Sequence, residues 1–309
     1  MAGGTTRTIV AAFFANLGIA IAKFIGFLIT SSSTMLAESI HSLADTSNQG
    51  LLLYGGRASR RAPRDQFQFG FGRERYFWSF VVALVLFSLG SLFALFEGFQ
   101  KVRDPHELDS PQVAIVILLL GILLEGWSFR TAVVESSRVK RPGQSWWDFI
   151  RQSRTPELPT VLLEDLGALI GLFLALGAIS LSIVTDNAIW DGIGTFAIGI
   201  LLGIIAIVLA VEMKSSLIGE AATVEDETDI IAAIVGTPDV SRLIHLRSQH
   251  LGPDEILVAA KVEFTPSLSV AGLSDAIDAT EANIRAAVPM AKLIYLEPDL
   301  YEASHSHRD

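Results

Sequence analysis

Long apolar segments constrain this chain more than any other feature. A helix that crosses a membrane needs about 20 largely apolar residues, and six segments of the sequence reach that length. They are approximately Thr8 to Thr30, Thr34 to Gly56, Tyr76 to Gln100, Gln112 to Val134, Thr160 to Thr185 and Trp190 to Met213. With 50% hydrophobic and only 18% charged residues, the composition is too apolar for an ordinary soluble protein. The sequence therefore predicts an α-helical membrane protein with six transmembrane helices.

The positions of Lys and Arg predict the orientation of these helices. Basic residues concentrate in the connections after the second and fourth segments: Arg57, Arg60, Arg61, Arg64, Arg73 and Arg75, then Arg138, Lys140, Arg141, Arg151 and Arg154. Cytoplasmic loops carry the excess of positive charge, so both connections and both termini are expected in the cytoplasm. The N-terminus shows no recognisable organelle-targeting segment, and the expected location is therefore a bacterial plasma membrane.

The last part of the chain, residues 214–309, reads as a separate acidic domain. It holds 7 Lys+Arg and 16 Asp+Glu, which accounts for −9 of the net charge of −10 and makes nucleic acid an improbable partner. Its patterns predict, in order, the elements Val224 to Val235 (helix), Ser241 to His250 (strand), Glu255 to Phe264 (strand), Val270 to Val288 (helix) and Ala291 to Leu296 (strand). We expect a transmembrane transport domain over 1–213 and a small cytoplasmic α+β domain (α-β-β-α-β, ferredoxin-like) over 214–309.

A polar stretch interrupts the second apolar segment. His41 and Asp45 are four residues apart and project from the same face of a helix, with Glu38 near the same stripe. The chain has no Cys, so a transition-metal site must use His, Asp and Glu. Imidazole with carboxylate suits a divalent first-row ion, and ionisable groups at membrane depth indicate a functional site.

Two adjacent acids, Glu164 and Asp165, form a second polar feature early in the fifth segment. Neighbouring helical residues point about 100° apart, so we expect one of them to be a metal ligand and the other its neighbour. The alternative is that these acids only pair with a base. Lys23 is the one Lys or Arg deep in the first two segments and could serve as that base.

These motifs resemble those of the cation diffusion facilitator family. The residues that carry the resemblance are Asn16, Lys23, Gly26 and Ser31 to Ser33, the run Leu-Ala-Glu-Ser-Ile-His-Ser-Leu-Ala-Asp that ends at Asp45, Asp65 with the run Phe69 to Glu74, and a closing Leu-Glu-Pro that ends at Pro298. The likeness covers nearly the whole chain. It implies a homodimer in the membrane that exports a divalent cation from the cytoplasm in exchange for protons.

The resemblance also implies a ligand set and shows where this chain departs from it. Matched ligands are His41, Asp45 and Asp165, and Glu164 is the first choice for the fourth, with water or Asn48 as substitutes. Zinc-carrying members usually have a second histidine where this chain has Val161. The sequence is most similar to a subgroup with Leu-Glu-Asp on the fifth membrane helix. Glu38 is then a neighbour of the site rather than a ligand.

Two further metal sites of some relatives are expected to be missing. Phe67 and Phe71 stand where the cytoplasmic loop of those relatives has histidines. In the C-terminal domain, the run Lys261 to Glu263 and Tyr295 replace histidine positions. The C-terminal domain is therefore expected to serve dimerisation more than metal sensing.

The sequence thus predicts a Zn²⁺/H⁺ antiporter that exports zinc, with zinc favoured because of His41. Mn²⁺ or Fe²⁺ is the alternative cargo of the same mechanism, and Co²⁺ and Cd²⁺ are conceivable. We expect no catalytic activity, no cofactor, and as partners a second copy, membrane lipid and divalent metal ions. An intramembrane metal-dependent hydrolase is the remote alternative. It would need a metal-bound water and a general base, for which Glu164 or Glu38 are candidates.

Overall fold

The computed structural model describes residues 2–31, 33–105, 111–153 and 155–301. Within these ranges the chain divides into two compact units. The first contains the chain up to Ala58 together with Glu74–Lys214, and the second contains Ser59–Arg73 together with the chain from Ser215 onward. Residues 59–73 fall within the transmembrane domain predicted from the sequence, whereas the structure groups them with the C-terminal residues.

Helices form the first unit. They are α1 (Ala2–Thr30), α2 (Ser33–Ala58), α3 (Glu74–Val85), a π-helical segment (Leu86–Leu92), α4 (Phe93–Arg103), α5 (Pro111–Val139), α6 (Trp146–Gln152), α7 (Glu157–Thr185) and α8 (Ile189–Ile218). The π-helical segment joins α3 and α4 into one continuous helix, Glu74–Arg103. A helix lies at each of the six predicted spans.

Four helices in the described ranges are long and apolar enough to cross a membrane: Glu74–Arg103, Pro111–Val139, Glu157–Thr185 and Ile189–Ile218. In α1 the apolar stretch found is the shorter Leu17–Thr30. The polar stretch of α2 lowers the mean hydropathy of that helix below the value expected for a span. The helical membrane domain is confirmed, and the count of six spans stays a prediction.

The surface of this helical unit is rich in large apolar side chains. Leu123 and Trp127 on α5 are 70% and 73% exposed, and Val184 on α7 is 82% exposed. Contiguous exposed apolar surface is rare on soluble monomers and marks contact with another protein or with a membrane. The outer faces of α5 and α7 therefore suit the hydrocarbon of a bilayer.

The helices α4 and α8 approach each other through glycines. A Cβ atom added at Gly98 would meet the backbone nitrogen of Phe196 and would lie 2.8 Å from its Cα atom. Added at Gly199, it would lie 2.7 Å from the backbone nitrogen of Leu95. Ser91 in the π-helical segment donates a 2.8 Å hydrogen bond to the carbonyl of Gly199. Small residues permit this backbone-to-backbone packing, which is common between membrane helices.

The second unit is a three-stranded sheet with two helices. Its elements are α9 (Val224–Val235), β1 (Val240–Gly252), β2 (Glu255–Phe264), α10 (Val270–Ala287) and β3 (Ala291–Pro298). The strand order is β1-β2-β3, with β1 antiparallel and β3 parallel to β2. The parallel pair needs a crossover connection, which α10 supplies. The predicted α-β-β-α-β order is confirmed.

Alternation along β2 gives this unit its core. Every second residue of the strand is buried: Ile256, Val258, Ala260, Val262 and Phe264. These side chains belong to one hydrophobic cluster with residues of α9 and α10, including Ile230, Ile234 and Ile284. One face of the sheet is therefore covered by helices, as the period of two in the sequence predicts.

In the connection between α2 and α3, residues 59–73, the backbone at Gly72 packs on the end of β1. A Cβ atom added at Gly72 would lie 2.6 Å from the carbonyl oxygen of Leu251 and 3.1 Å from the Cα atom of Gly252. Conversely, one added at Gly252 would lie 2.8 Å from the Cα atom of Gly72. The two backbones touch because neither glycine has a side chain.

We expect Gly72→Ala to loosen this contact, because the added methyl group would collide with backbone that cannot rotate away. Trypsin should then cleave the connection at Arg60, Arg61 or Arg64 roughly tenfold faster, since proteolysis follows local opening. Cleavage can be followed on gels of the purified protein. Gly56→Ala is the matched control, because a Cβ atom there would meet no described atom within 4 Å apart from the adjacent backbone of its own helix. Equal cleavage rates in both variants would contradict the contact.

Candidate metal centre

The polar stretch of α2 lies buried inside the helical unit. His41 is 1% exposed and Asp45 is 6% exposed. Their spacing of four residues places the two side chains on one face of the helix, and His41 Nε2 lies 3.5 Å from Asp45 Oδ2. The predicted histidine and carboxylate are thus brought together. The side chain of Glu38 lies outside the described part of the chain.

Several polar atoms of this pair have no partner among the described residues. Both ring nitrogens of His41 and the Oδ1 oxygen of Asp45 are buried without a hydrogen bond. The same is true of Asn48 Oδ1, one turn further along α2. Most buried polar atoms in proteins are hydrogen-bonded, and leaving one without a partner costs about 1 to 3 kcal/mol. A bound cation would interact with the imidazole nitrogen and the carboxylate oxygen at the same time.

The two acids of α7 contact different neighbours. Glu164 accepts a 2.7 Å hydrogen bond from Asn48 Nδ2 and therefore faces α2. Asp165 accepts a 2.8 Å hydrogen bond from Ser128 Oγ and therefore faces α5. Both acids are buried within the helical unit, and both interact electrostatically with Asp45. Glu164, which the sequence ranked as the fourth ligand, has the direct contact with the helix that carries His41.

The described residues do not form a complete ligand shell. Within these ranges, no three His, Asp or Glu side chains come close enough together to hold one metal ion. The structure brings together His41 with Asp45, and Glu164 with Asn48. It leaves Asp165 hydrogen-bonded to Ser128. A site that uses all four predicted ligands requires their side chains, or the helices that carry them, to move toward one another.

The sequence suggests Glu125 of α5 as a structural pair with Arg130 and does not predict that α5 contributes to the site. Glu125 is 3% exposed and interacts electrostatically with both Asp45 and Asp165. Ser128, which contacts Asp165, is three residues further along and lies on the same face of the helix. The sequence contains a signal for this contribution, because an acid and a hydroxyl share one face of an otherwise apolar helix. The buried acids near His41 therefore come from three helices, α2, α5 and α7.

In the connection after α2, aromatic rings stand at the positions where some relatives have metal ligands. The rings of Phe67 and Phe71 are 4.9 Å apart, and the guanidinium of Arg61 lies 4.3 Å above the ring of Phe71. Arg64 and Phe67 form a backbone bridge. This connection is thus organised by apolar and cation–π contacts.

Lys261 of the C-terminal unit stands at a position where the family resemblance implies a histidine in some relatives. Its Nζ lies 2.9 Å from Asp299 Oδ2 and 3.2 Å from Glu297 Oε1. The hydrogen bond to Asp299, and then the one to Glu297, raise the pKa of this lysine above its usual value. Lys261 therefore stays protonated at neutral pH, and a protonated amine has no lone pair for a metal ion.

Comparison with known proteins decides the family. The model of the cation efflux transmembrane domain matches residues 9–218. The chain belongs to the cation diffusion facilitator family. Its relatives in this family are transporters, so the prediction that the chain is not an enzyme is confirmed, and the hydrolase alternative loses its basis. Multi-pass insertion in a membrane follows from the family and from the four apolar helices.

Two curated relatives are each 30% identical to the chain. Metal tolerance protein C4 of Arabidopsis thaliana aligns over 265 residues, which are 85% of this chain and 58% of that protein. The human proton-coupled zinc antiporter SLC30A9, mitochondrial, aligns over 243 residues, which are 78% of this chain and 43% of that protein. The chain thus spans about half the length of these relatives.

Among solved structures, a variant of the MamM C-terminal domain is similar to the C-terminal part of the cation efflux protein described here. It is 21% identical, with a TM-score of 0.24, and the match covers 25% of this chain and 92% of that domain. At this score the likeness supports no conclusion about metal binding or assembly.

Proposed function

We propose that this protein transports divalent metal cations across a membrane, and that it exchanges Zn²⁺ for protons so as to export zinc from the cytoplasm. Membership of the cation diffusion facilitator family supports the general statement. The human relative is named as a proton-coupled zinc antiporter, which supports the particular choice of cargo and counter-ion. The proposed cargo ligands are His41, Asp45, Asp165 and Glu164.

One observation carries the proposal: the buried His41–Asp45 pair, whose ring nitrogens and Oδ1 oxygen have no hydrogen-bond partner among the described residues. Burying such a pair is costly unless another group compensates it. A divalent cation can coordinate an imidazole nitrogen and a carboxylate oxygen at once. Glu164 and Asp165, which interact electrostatically with Asp45, would supply the remaining negative charge.

Proton exchange follows from the chemistry of these ligands. A metal ion binds deprotonated carboxylates and neutral imidazole, so metal binding and proton binding compete for the same atoms. Protons that enter from the far side of the membrane would displace the cation there. On the cytoplasmic side, a lower proton concentration would let the next cation bind. The two fluxes are therefore coupled without any covalent chemistry.

Transport can be tested with purified protein in liposomes whose content of each metal is measured by elemental mass spectrometry. An acidic interior should drive zinc uptake, because protons leave as zinc enters, and a protonophore should abolish the part that depends on the gradient. Mn²⁺, Fe²⁺, Co²⁺ and Cd²⁺ should be added as competitors, and liposomes without protein are the control. Stronger uptake of Mn²⁺ or Fe²⁺ would favour the alternative cargo. No gradient-driven uptake of any of these ions would overturn the proposal.

The proposed function also involves two domains and a second copy of the chain. We propose a transport domain over 1–213 and a C-terminal domain over 214–309 that pairs with that of a second copy. The small size of the C-terminal unit supports pairing, because domains of fewer than about 100 residues gain stability from association. Location in a bacterial plasma membrane with both termini in the cytoplasm stays a prediction from the sequence.

A further inference from the structure

Lys23 is a buried cation beside the proposed cation site. It lies on α1 and is 1% exposed. Its Nζ donates a 2.8 Å hydrogen bond to Ser42 Oγ on α2, and Ser42 directly follows His41 in the sequence. The ammonium group is therefore held next to the helix that carries His41 and Asp45.

The surroundings of Lys23 are both acidic and close-packed. Lys23 interacts electrostatically with Asp45 and with His41. A Cβ atom added at Gly121 of α5 would lie 3.8 Å from Lys23 Cε, so the lysine stem runs between α2 and α5. Moving an ammonium group out of water is strongly unfavourable unless nearby groups compensate it. The buried carboxylate of Asp45, with which Lys23 interacts, contributes to that compensation.

We propose that Lys23 is a tethered counter-cation that sets the affinity of the cargo site. When no cargo is bound, its positive charge compensates the buried carboxylate of Asp45. When a divalent cation binds, the same charge repels it and weakens its binding. This inference rests on the proposed function, because it assumes that His41 and Asp45 bind the cargo. A transporter needs such a limit, since a site that binds too tightly releases its ion slowly.

A structural role for Lys23 predicts different behaviour. If Lys23 only joins α1 to α2 through Ser42, its loss should weaken the packing around the site and leave zinc binding unchanged or weaker. If Lys23 is a counter-cation, its loss should tighten zinc binding. The two roles therefore differ in the sign of the effect.

The test compares Lys23→Gln with Lys23→Arg. Glutamine can still donate a hydrogen bond to Ser42 but carries no charge, whereas arginine keeps the charge. Zinc dissociation constants should be measured by equilibrium dialysis of the purified protein in nanodiscs at one fixed pH. We expect Lys23→Gln to bind zinc about tenfold more tightly. The free energy of a tenfold change in affinity is small compared with the full repulsion between two cations at short range inside a protein. Lys23→Arg should stay within about threefold of the wild type.

Ser42→Ala provides a second test if Lys23→Gln does not fold. Ser42→Ala removes the tether but keeps the charge, so the ammonium can move away and zinc binding should tighten by a few-fold. The matched control is Ser47→Ala on the same helix, because Ser47 is exposed and donates to the carbonyl of Leu43 in its own helix. Unchanged or weaker zinc binding in Lys23→Gln, or in Ser42→Ala where the first variant fails, would overturn the role of Lys23. A wild-type protein that binds no zinc would overturn the proposed function instead.

Discussion

Replacing Asp45 with Asn should reduce zinc transport by about a hundredfold or more. Asparagine keeps the shape of the side chain but loses the negative charge that attracts the cation and the proton that the carboxylate exchanges. Changes to groups that only orient a metal ligand already cost about 10- to 100-fold in affinity or activity, so the loss of a ligand should cost at least as much. The measurement is zinc uptake into liposomes with an acidic interior, normalised to the amount of inserted protein.

The matched control is Glu135→Gln, which makes the same chemical change on α5 at a residue outside the proposed site. It should transport zinc at close to the wild-type rate. Both variants should have the same unfolding temperature as the wild type to within a few degrees, so that a loss of transport reports on the site. If Asp45→Asn kept most of the wild-type flux, Asp45 would not be a cargo ligand.

Substituting Gly98 by Ala should strongly destabilise the helical unit. The added methyl group would be 2.8 Å from the Cα atom of Phe196 and 2.9 Å from the carbonyl oxygen of Gly192, and neither backbone atom can move without shifting α8. Overpacking of this kind costs about 3 kcal/mol, or roughly 6 to 12 °C in unfolding temperature for a domain of this size. Thermal unfolding of the detergent-solubilised protein provides the measurement.

Gly177→Ala on α7 separates this clash from any general effect of the substitution. A Cβ atom at Gly177 would have no described atom within 4 Å apart from the adjacent backbone of its own helix. Alanine is a better helix former than glycine by about 0.5 to 1 kcal/mol. The Gly177 variant should therefore be as stable as the wild type or slightly more so. Similar unfolding temperatures for the two variants would show that α4 and α8 are not packed through Gly98.

Regular patterns in the sequence were enough to find the secondary structure. The apolar segments located the helices, and the period of two from Glu255 to Phe264 gave the bounds of β2 as the structure has them. The spacing of His41 and Asp45 also predicted their common face, because a helix fixes the direction of its side chains. These predictions depend on local geometry, which the sequence determines directly.

Contacts between distant parts of the chain were not predictable in the same way. The sequence left open which neighbour each acid of α7 would meet, and only the packing assigns Glu164 to Asn48 and Asp165 to Ser128. Arg75 was counted only as a positive charge in a loop. In the structure its guanidinium makes two hydrogen bonds, of 2.6 and 2.8 Å, to the carboxylate of Glu157. Such pairings depend on how helices pack, for which no period in the sequence gives a signal.

The contact between Gly72 and the end of β1, at Leu251 and Gly252, determines how the protein can be divided into fragments. A protease cut between α8 and α9 would break the peptide chain there, yet the C-terminal fragment would still be held by residues 59–73, which belong to its own compact unit. Conversely, a fragment that ends at Lys214 would expose the backbone at Gly72 that the end of β1 covers. A fragment that contains the whole second unit must therefore include residues 59–73 as well as the C-terminal residues.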